Sequence, residues 1–182
     1  VMSRLSNDVC TGHALQAVRL IGDHLPEAVK NPQNTTARGK LQTAAALAGW
    51  AFTVAQVGLA HAVAHSLGAL LEIPHGQACG IMLPHVMRYN AEYAQEGLAR
   101  VAGALGVEIQ GCGKSEAALA AADAVLALMK QIDHPLHLSA MGVTEDRFME
   151  IAVHAVADPA VMFNPRPPGG PAGILELLEV VK

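Results

Sequence analysis

The stretch HAVAHSLGALLEIPH, residues 61–75, places three histidines in an otherwise apolar part of the chain. Its apolar residues recur at helical spacing, so they predict a helix that carries the first two histidines and ends near Leu71. Glu72, Ile73 and Pro74 predict a turn, because a proline pushes the residue before it into an extended conformation. The third histidine follows this turn directly, and the stretch as a whole therefore favours a helical fold.

The same helical spacing recurs along the whole chain, and no segment shows the period-two alternation of a half-buried strand. The composition agrees, because 52% of the residues are hydrophobic but only 3% are aromatic, which favours closely packed helices rich in Ala, Leu and Val. A chain of 182 residues is long enough for one domain with a substantial core. We therefore predict a single all-α domain, a multi-helical bundle, over residues 1–182.

Turn and capping residues divide the chain into its predicted helices. Pro26 is expected to stop the first helix, Asn34, Thr35 or Thr36 to cap the second, and Pro84 to kink the fourth or restart it. The predicted helices run from about Asp8 to His24, from Ala37 to Val57, through His61 and His65 to Leu71, through residues 76–94 and 96–106, from Ser115 through Met129, from Thr144 to Val156, and through residues 172–182.

Charge and composition argue against several kinds of partner. The net charge of −4 comes without a basic stripe, so nucleic acid is not expected to bind. Residues 41–71 carry no formal charge and are long enough to span a bilayer, but their many polar and small residues favour a buried helix pair, so no membrane partner is expected. Three cysteines without a C-x-x-C pair, and a start without an apolar leader, favour the reducing cytoplasm.

The histidines themselves allow two interpretations. His61 and His65 are four residues apart, so they share one helix face with their Cβ atoms about 5–6 Å apart and could bind one metal ion together. Neutral imidazole suits Fe(II), Zn(II), Co(II) or Ni(II). Alternatively, the histidines are hydrogen-bonded core residues, since their spacing does not show that all three converge. The neighbouring Cys79 is expected to pack as a small apolar residue.

The segment GLAHAVAHSLGALLEIPHGQACGIMLPHVMRYN, residues 58–90, closely resembles the signature of the iron-containing alcohol dehydrogenases. The segments MGVTEDRF and ADPAVMFNPRP are also similar to parts of that family, so the likeness extends over nearly all 182 residues. It implies the fold of the family's C-terminal helical domain, which is shared with dehydroquinate synthase-like proteins. The family pattern G-x-x-H-x-x-A-H-x-L-G, followed after a loop by P-H-G-x-A, is met by Gly58, His61, Ala64, His65, Leu67, Gly68, Pro74, His75, Gly76 and Ala78.

This resemblance implies roles for the three histidines. In the family, a metal ion between an N-terminal nucleotide-binding domain and the helical domain is held by the Asp and His of a D-x-x-x-H helix and by two further histidines. His61 and His75 match these two, which implies that they are ligands of Fe2+ or Zn2+. His65 matches a histidine that faces the nicotinamide and the substrate, which implies a catalytic role.

The resemblance also implies an activity, namely the NAD- or NADP-linked oxidation of a primary or secondary alcohol to an aldehyde or ketone by a homo-oligomer. In residues 1–60 no D-x-x-x-H motif precedes the histidine signature, as it does in the family, and no Gly-rich dinucleotide-binding motif occurs in the 182 residues. These residues alone are therefore expected to bind the metal weakly and to be inactive. The alternative is a non-catalytic helical domain that acts as a scaffold or as an oligomerisation unit.

Overall fold

The computed structural model describes residues 1–182 and confirms the all-α prediction, since it contains no strand. Three short 3-10 helices, Leu138–Met141, Glu145–Arg147 and Pro159–Phe163, lie among the connecting segments. The α-helices are α1 (Asp8–Lys30), α2 (Thr35–Ala55), α3 (Leu59–Leu71), α4 (His75–Tyr89), α5 (Gln95–Ala104), α6 (Lys114–Gln131), α7 (Phe148–Val156) and α8 (Pro171–Val180).

Neither internal proline ends its helix, so the prediction for Pro26 was wrong. Helix α1 continues past Pro26 to Lys30, since a proline removes only one N–H donor and the last turn is held by other contacts. The Asn31 N–H donates to the Glu27 carbonyl, and the Asn31 and Asn34 side chains donate to the Glu27 carboxylate. Asn34 also caps α2 as predicted, by accepting the backbone N–H three residues later.

The apolar core consists of two main clusters that share helix α4. The larger cluster joins α3 and α4 to α7 and α8, and includes Leu67, Ile81 and Ile151. The smaller one joins the C-terminal end of α4 to α5 and α6 through residues such as Met87 and Leu98. The helix that begins at the third histidine is thus packed on both sides, which fixes the position of that residue.

Helices α1 and α2 form a hairpin that packs mainly on itself. Its fully buried residues are all small: Cys10, Thr11, Ala17, Ala28, Ala37, Ala44, Ala51 and Ala55. Between the hairpin and the other helices lies a cavity of about 400 Å³, lined mostly by apolar side chains and in part by His61. The hairpin therefore covers the core without filling the space beneath it.

None of the helices combines the length and the apolarity that a membrane span requires. Only α2 and α3 taken together reach the length and apolar composition of a membrane span, and the angle between these two helices is 105°. The prediction of a buried pair holds for α3 but was wrong for α2, because Trp50, Phe52 and Val54 on α2 are mostly exposed.

A buried pair of amides ties the C-terminal loop to the start of α3. Asn164 donates from Nδ2 to Asn90 Oδ1 over 2.7 Å, and its own Oδ1 accepts from Asn90 Nδ2 and from the Leu59 N–H. A Cβ atom at Gly58 would lie 3.1 Å from Asn164 Oδ1, so the absence of a side chain there permits this close approach. The loop that follows α7 is thereby held beside the helix that carries His61 and His65.

Candidate metal centre

The three predicted histidines converge at the junction of α3 and α4. The turn is made by Glu72, which adopts a left-handed conformation with φ of 57°, and helix α4 begins directly at His75. The ring centroids of His61 and His65 lie 6.0 Å apart, and that of His75 lies 5.4 Å from each of them. The spacing of His61 and His65 predicted that they share a helix face. The position of His75 beside them depends instead on the turn between the two helices.

The surroundings of His61 alter its acidity. Burial lowers its pKa, and the neighbouring His75 and His65 lower it further, whereas the carboxylate of Asp158 acts in the opposite direction. The neutral form is therefore favoured. A neutral imidazole has a nitrogen lone pair with which it can bind a metal ion.

Cys79 lies one helical turn after His75, and its Sγ atom is 3.5 Å from Nε2 of that histidine. Burial raises the pKa of the thiol to about 11. As expected, the side chain packs against the larger apolar cluster, but its sulfur also faces the imidazoles. The only sequence signal for this contact was the i,i+4 spacing from His75.

The donor chemistry of this group fits a divalent transition metal ion. The ligand atoms of His61, His75 and Cys79 all lie within 4.8 Å of one another. Imidazole and thiolate are ligands that suit iron, cobalt and zinc better than Mg²⁺ or Ca²⁺. The residues present are therefore compatible with the iron or zinc ion that the sequence analysis expected.

His65 is held by a carboxylate that the sequence analysis did not identify. Its Nδ1 atom lies 2.8 Å from Oδ2 of Asp158, whose Oδ1 accepts the Ala160 N–H at the same distance. Partial burial alone would raise the pKa of Asp158, but the hydrogen bonds from Ala160 and His65 and the nearby His154 lower it overall. An ionised Asp158 fixes the proton of His65 on Nδ1 and leaves a lone pair on Nε2.

The loop that carries Asp158 continues into a segment anchored on α4. The Arg166 guanidinium stacks over the Tyr89 ring at 4.0 Å and donates to the Tyr89 carbonyl. The Tyr89 hydroxyl donates in turn to the Pro167 carbonyl over 3.1 Å. Because these contacts join the loop to the helix that begins with His75, they help to keep Asp158 beside the histidines.

Comparison with known proteins gives consistent matches for the chain. A profile described as "Fe-containing alcohol dehydrogenase family, C-terminal" matches residues 1–180. The 1,3-propanediol dehydrogenase of Klebsiella pneumoniae is 40% identical over 165 residues, which are 91% of this chain and 43% of that protein. Lactaldehyde reductase of Escherichia coli (strain K12) is 41% identical over 120 residues, which are 66% of this chain and 31% of that protein.

A solved structure agrees with these sequence matches. The crystal structure of a 1,3-propanediol oxidoreductase superimposes with a TM-score of 0.96 at 38% identity, and the match covers 100% of this chain and 47% of that one. The chain thus spans less than half the length of the relatives that it matches.

Proposed function

The chain belongs to the C-terminal family of Fe-containing alcohol dehydrogenases, and from this membership we propose that it forms the metal-binding part of an NAD(P)-linked alcohol dehydrogenase. The proposed reaction interconverts a primary or secondary alcohol and its aldehyde or ketone. The observation that carries the proposal is the convergence of three imidazoles, one of which is held by a carboxylate. Residues 1–182 would act as one helical metal-binding domain.

His61 and His75 are the proposed metal ligands among the histidines, with Fe2+ or Zn2+ as the ion. The ion, when bound, supplies Lewis-acid chemistry that polarises an alcohol oxygen and lowers its pKa. The contribution of the chain is to present two imidazoles from two different helices at a fixed separation. Their ring centroids are 5.4 Å apart, a distance at which both can face one ion.

His65 is the proposed catalytic residue, because its Nε2 lone pair is free to accept a proton from the substrate hydroxyl. The carboxylate of Asp158 orients the ring and stabilises the positive charge that the ring acquires on protonation. Asp158 does not itself need to take up the proton. The pair therefore supports proton transfer next to the proposed metal site, and His65 need not act as a ligand.

Hydride transfer requires a nicotinamide cofactor, NAD or NADP, which carries the redox chemistry. No Gly-rich dinucleotide-binding motif occurs in residues 1–182, so these residues alone are expected to turn over no alcohol. Small alcohols or aldehydes are the proposed substrates, since the matched relatives are named for 1,3-propanediol and lactaldehyde. All three cysteines are free thiols, which suits the proposed cytoplasmic setting.

A chimera tests the proposal directly. Residues 1–182 replace the matching segment of the Klebsiella pneumoniae 1,3-propanediol dehydrogenase, and metal content is measured together with alcohol-dependent NAD reduction. His61→Ala and His75→Ala should lose metal and activity together, whereas His65→Ala should keep its metal and lose turnover. Stoichiometric metal in the His61→Ala or His75→Ala variant would contradict the assignment of ligands, and metal loss in His65→Ala would contradict the separate role of that residue.

The second candidate function is a scaffold or oligomerisation unit, and the exposed apolar surface of α2 favours it. Trp50 and Val54, which are four residues apart on α2, expose apolar side chains on one face of the helix, as surfaces that bind other proteins do. Self-association of the 182-residue chain, measured by sedimentation and reduced by Trp50→Glu, is the expected result. A monomer at all concentrations would exclude this surface as a homo-oligomer interface in the chain.

A further inference from the structure

We propose that His154 is a positioning residue, which holds Asp158 against His65 by means of a hydrogen bond to another residue of α3. The proposal rests on the proposed function, in which His65 and Asp158 together accept the proton of the substrate. Its basis is a second contact beside theirs. Nδ1 of His154 lies 3.0 Å from Oγ of Ser66, the residue that directly follows His65 in the chain. Two consecutive residues of α3 thus contact two residues near the end of α7.

The direction of the hydrogen bond between His154 and Ser66 follows from the other partner of the hydroxyl. Ser66 is fully buried, and its hydroxyl donates to the Ala62 carbonyl over 3.0 Å. A hydroxyl has a single hydrogen, so towards His154 the Ser66 oxygen acts as an acceptor. Nδ1 of His154 therefore carries a hydrogen and donates it. This bond fixes the orientation of an imidazole that is otherwise exposed.

The last turn of α7 connects this contact to Asp158. The Ala157 N–H donates to the His154 carbonyl over 3.3 Å, and the Asp158 N–H donates to the Ala155 carbonyl over 3.1 Å. The backbone of Asp158 is thus tied to the turn that carries His154. Because Ser66 restrains His154, it also restrains the position of the Asp158 carboxylate relative to α3.

The contact between Ser66 and His154 is the only hydrogen bond that joins α3 to α7. The two helices otherwise contribute apolar side chains to the larger cluster. Apolar contacts are non-directional, whereas a hydrogen bond requires a defined distance and angle. The anchors at Asn164 and Arg166 follow Asp158 in the chain, so His154 supplies the directional anchor that precedes it.

Nitrogen NMR of the 182-residue chain with isotope-labelled histidines tests the proposal without metal or cofactor. At a pH of about 8.5, above the ordinary histidine pKa, the ring-nitrogen shifts of His65 should show its hydrogen on Nδ1 in the parent chain. His154→Ala should move these shifts towards the Nε2–H tautomer, which predominates in free histidine. His154→Asn should restore them, because the amide can donate to Ser66 in place of Nδ1. Val153→Ala, which changes an exposed neighbour on α7, should leave them unchanged.

Three results of this comparison would overturn the role of His154. They are a hydrogen on Nε2 of His65 in the parent chain, parent-like shifts in His154→Ala, and a failure of His154→Asn to restore the parent shifts. If His154→Ala does not fold, Ser66→Ala decides in its place. That variant removes the acceptor of the same hydrogen bond, so it should change the His65 shifts in the same way.

The chimera described above provides the kinetic comparison. His154→Ala should lower kcat by about two- to tenfold, the range for loss of one hydrogen bond, while KM and metal content stay the same. In an Asp158→Asn background the substitution should have no further effect, because His154 acts through that carboxylate. An additional loss in this background would contradict the proposal. An inactive parent chimera would overturn the proposed function alone, since the NMR comparison still decides whether His154 positions Asp158.

Discussion

Nδ1 of His65 lies 2.8 Å from Oδ2 of Asp158, and this contact joins residues that are 93 positions apart in the chain. The two residues come from different parts of the fold, since His65 lies on α3 and Asp158 caps the short 3-10 helix that follows α7. The contact fixes both the orientation of the imidazole and the nitrogen that carries its proton. It thus links the most specific sequence motif to a residue that no local pattern singles out.

Asp158→Asn should lower the turnover of the chimera by about 10- to 100-fold while metal content stays the same. An amide keeps the shape of the side chain but no longer stabilises a positively charged His65, and loss of an orienting partner of an imidazole costs about this much. The pH profile of turnover should move as well, because the imidazolium loses its neighbouring negative charge. Unchanged turnover and an unchanged profile would show that Asp158 only supports the loop.

Gly173→Ala should destabilise the chain by about 1–3 kcal/mol, the usual cost of overpacking a close contact. A Cβ atom at this position would overlap the Pro168 carbonyl oxygen, so the first turn of α8 or the preceding loop must shift. The control is Gly49→Ala on α2, where a Cβ atom meets nothing within 4 Å and should raise stability by about 0.5–1 kcal/mol. Urea denaturation of both variants checks the pair, and equal effects would refute the steric argument.

Asn164→Ala should lower the free energy of unfolding by about 1–3 kcal/mol for each buried group that is left unpaired. The substitution removes the partner of the Asn90 amide and of the Leu59 N–H, both of which are buried. Asn31→Ala is the matched control, since its amide is exposed and its partner Glu27 keeps a second donor. Thermal and urea unfolding should show a much smaller change for the control.

His85 should make the chain less stable as the pH falls through about 6.5, the ordinary histidine value. Burial lowers its pKa in the folded chain, and the positive charges of Arg88 on the same helix and of His137 lower it further. The unfolded chain therefore binds more protons than the folded chain between the lowered value and 6.5, so the free energy of unfolding decreases towards acidic pH. Below the lowered value this contribution becomes constant.

The variant His85→Gln should consequently show a flatter dependence of stability on pH than the parent chain. Urea denaturation at pH 7.5 and at pH 5.5 provides the comparison, with His24→Gln on α1 as a control for loss of a histidine elsewhere. A slope as steep in His85→Gln as in the parent chain would rule out His85 as a source of the acid sensitivity.

Local patterns in the sequence were sufficient for the helical class and for the shared face of His61 and His65. Both depend on spacing within one helix, which the chain encodes over a few residues. The start of α1 at Asp8 was predicted, but its C-terminal end was not, because hydrogen bonds to Glu27 from the following turn hold the helix past Pro26. The buried state of α2 was predicted from the lack of charge in residues 41–71 and from their many small and polar residues, although burial depends on which neighbours are present to cover it.

The rest of the candidate site depends on contacts between residues that are distant in sequence. Asp158 reaches His65 only because the loop after α7 is anchored by Asn164 and Arg166 on α4, and such anchoring leaves no periodic signal. The approach of Cys79 to His61 depends in the same way on how α3 and α4 pack around the turn at Glu72. Spacing identified the histidines, whereas tertiary packing selected their partners.

The cavity beneath the α1–α2 hairpin has a consequence for how the native chain opens. Small buried residues remove little apolar area from water, so the hairpin is attached to the other helices by a weaker driving force than the one that joins α3, α4, α7 and α8. Amide hydrogens of α1 and α2 should therefore exchange with solvent through a partial opening that leaves α3 protected. In that open form the histidine-bearing helix stays folded, and the side of His61 that borders the cavity becomes accessible to solvent.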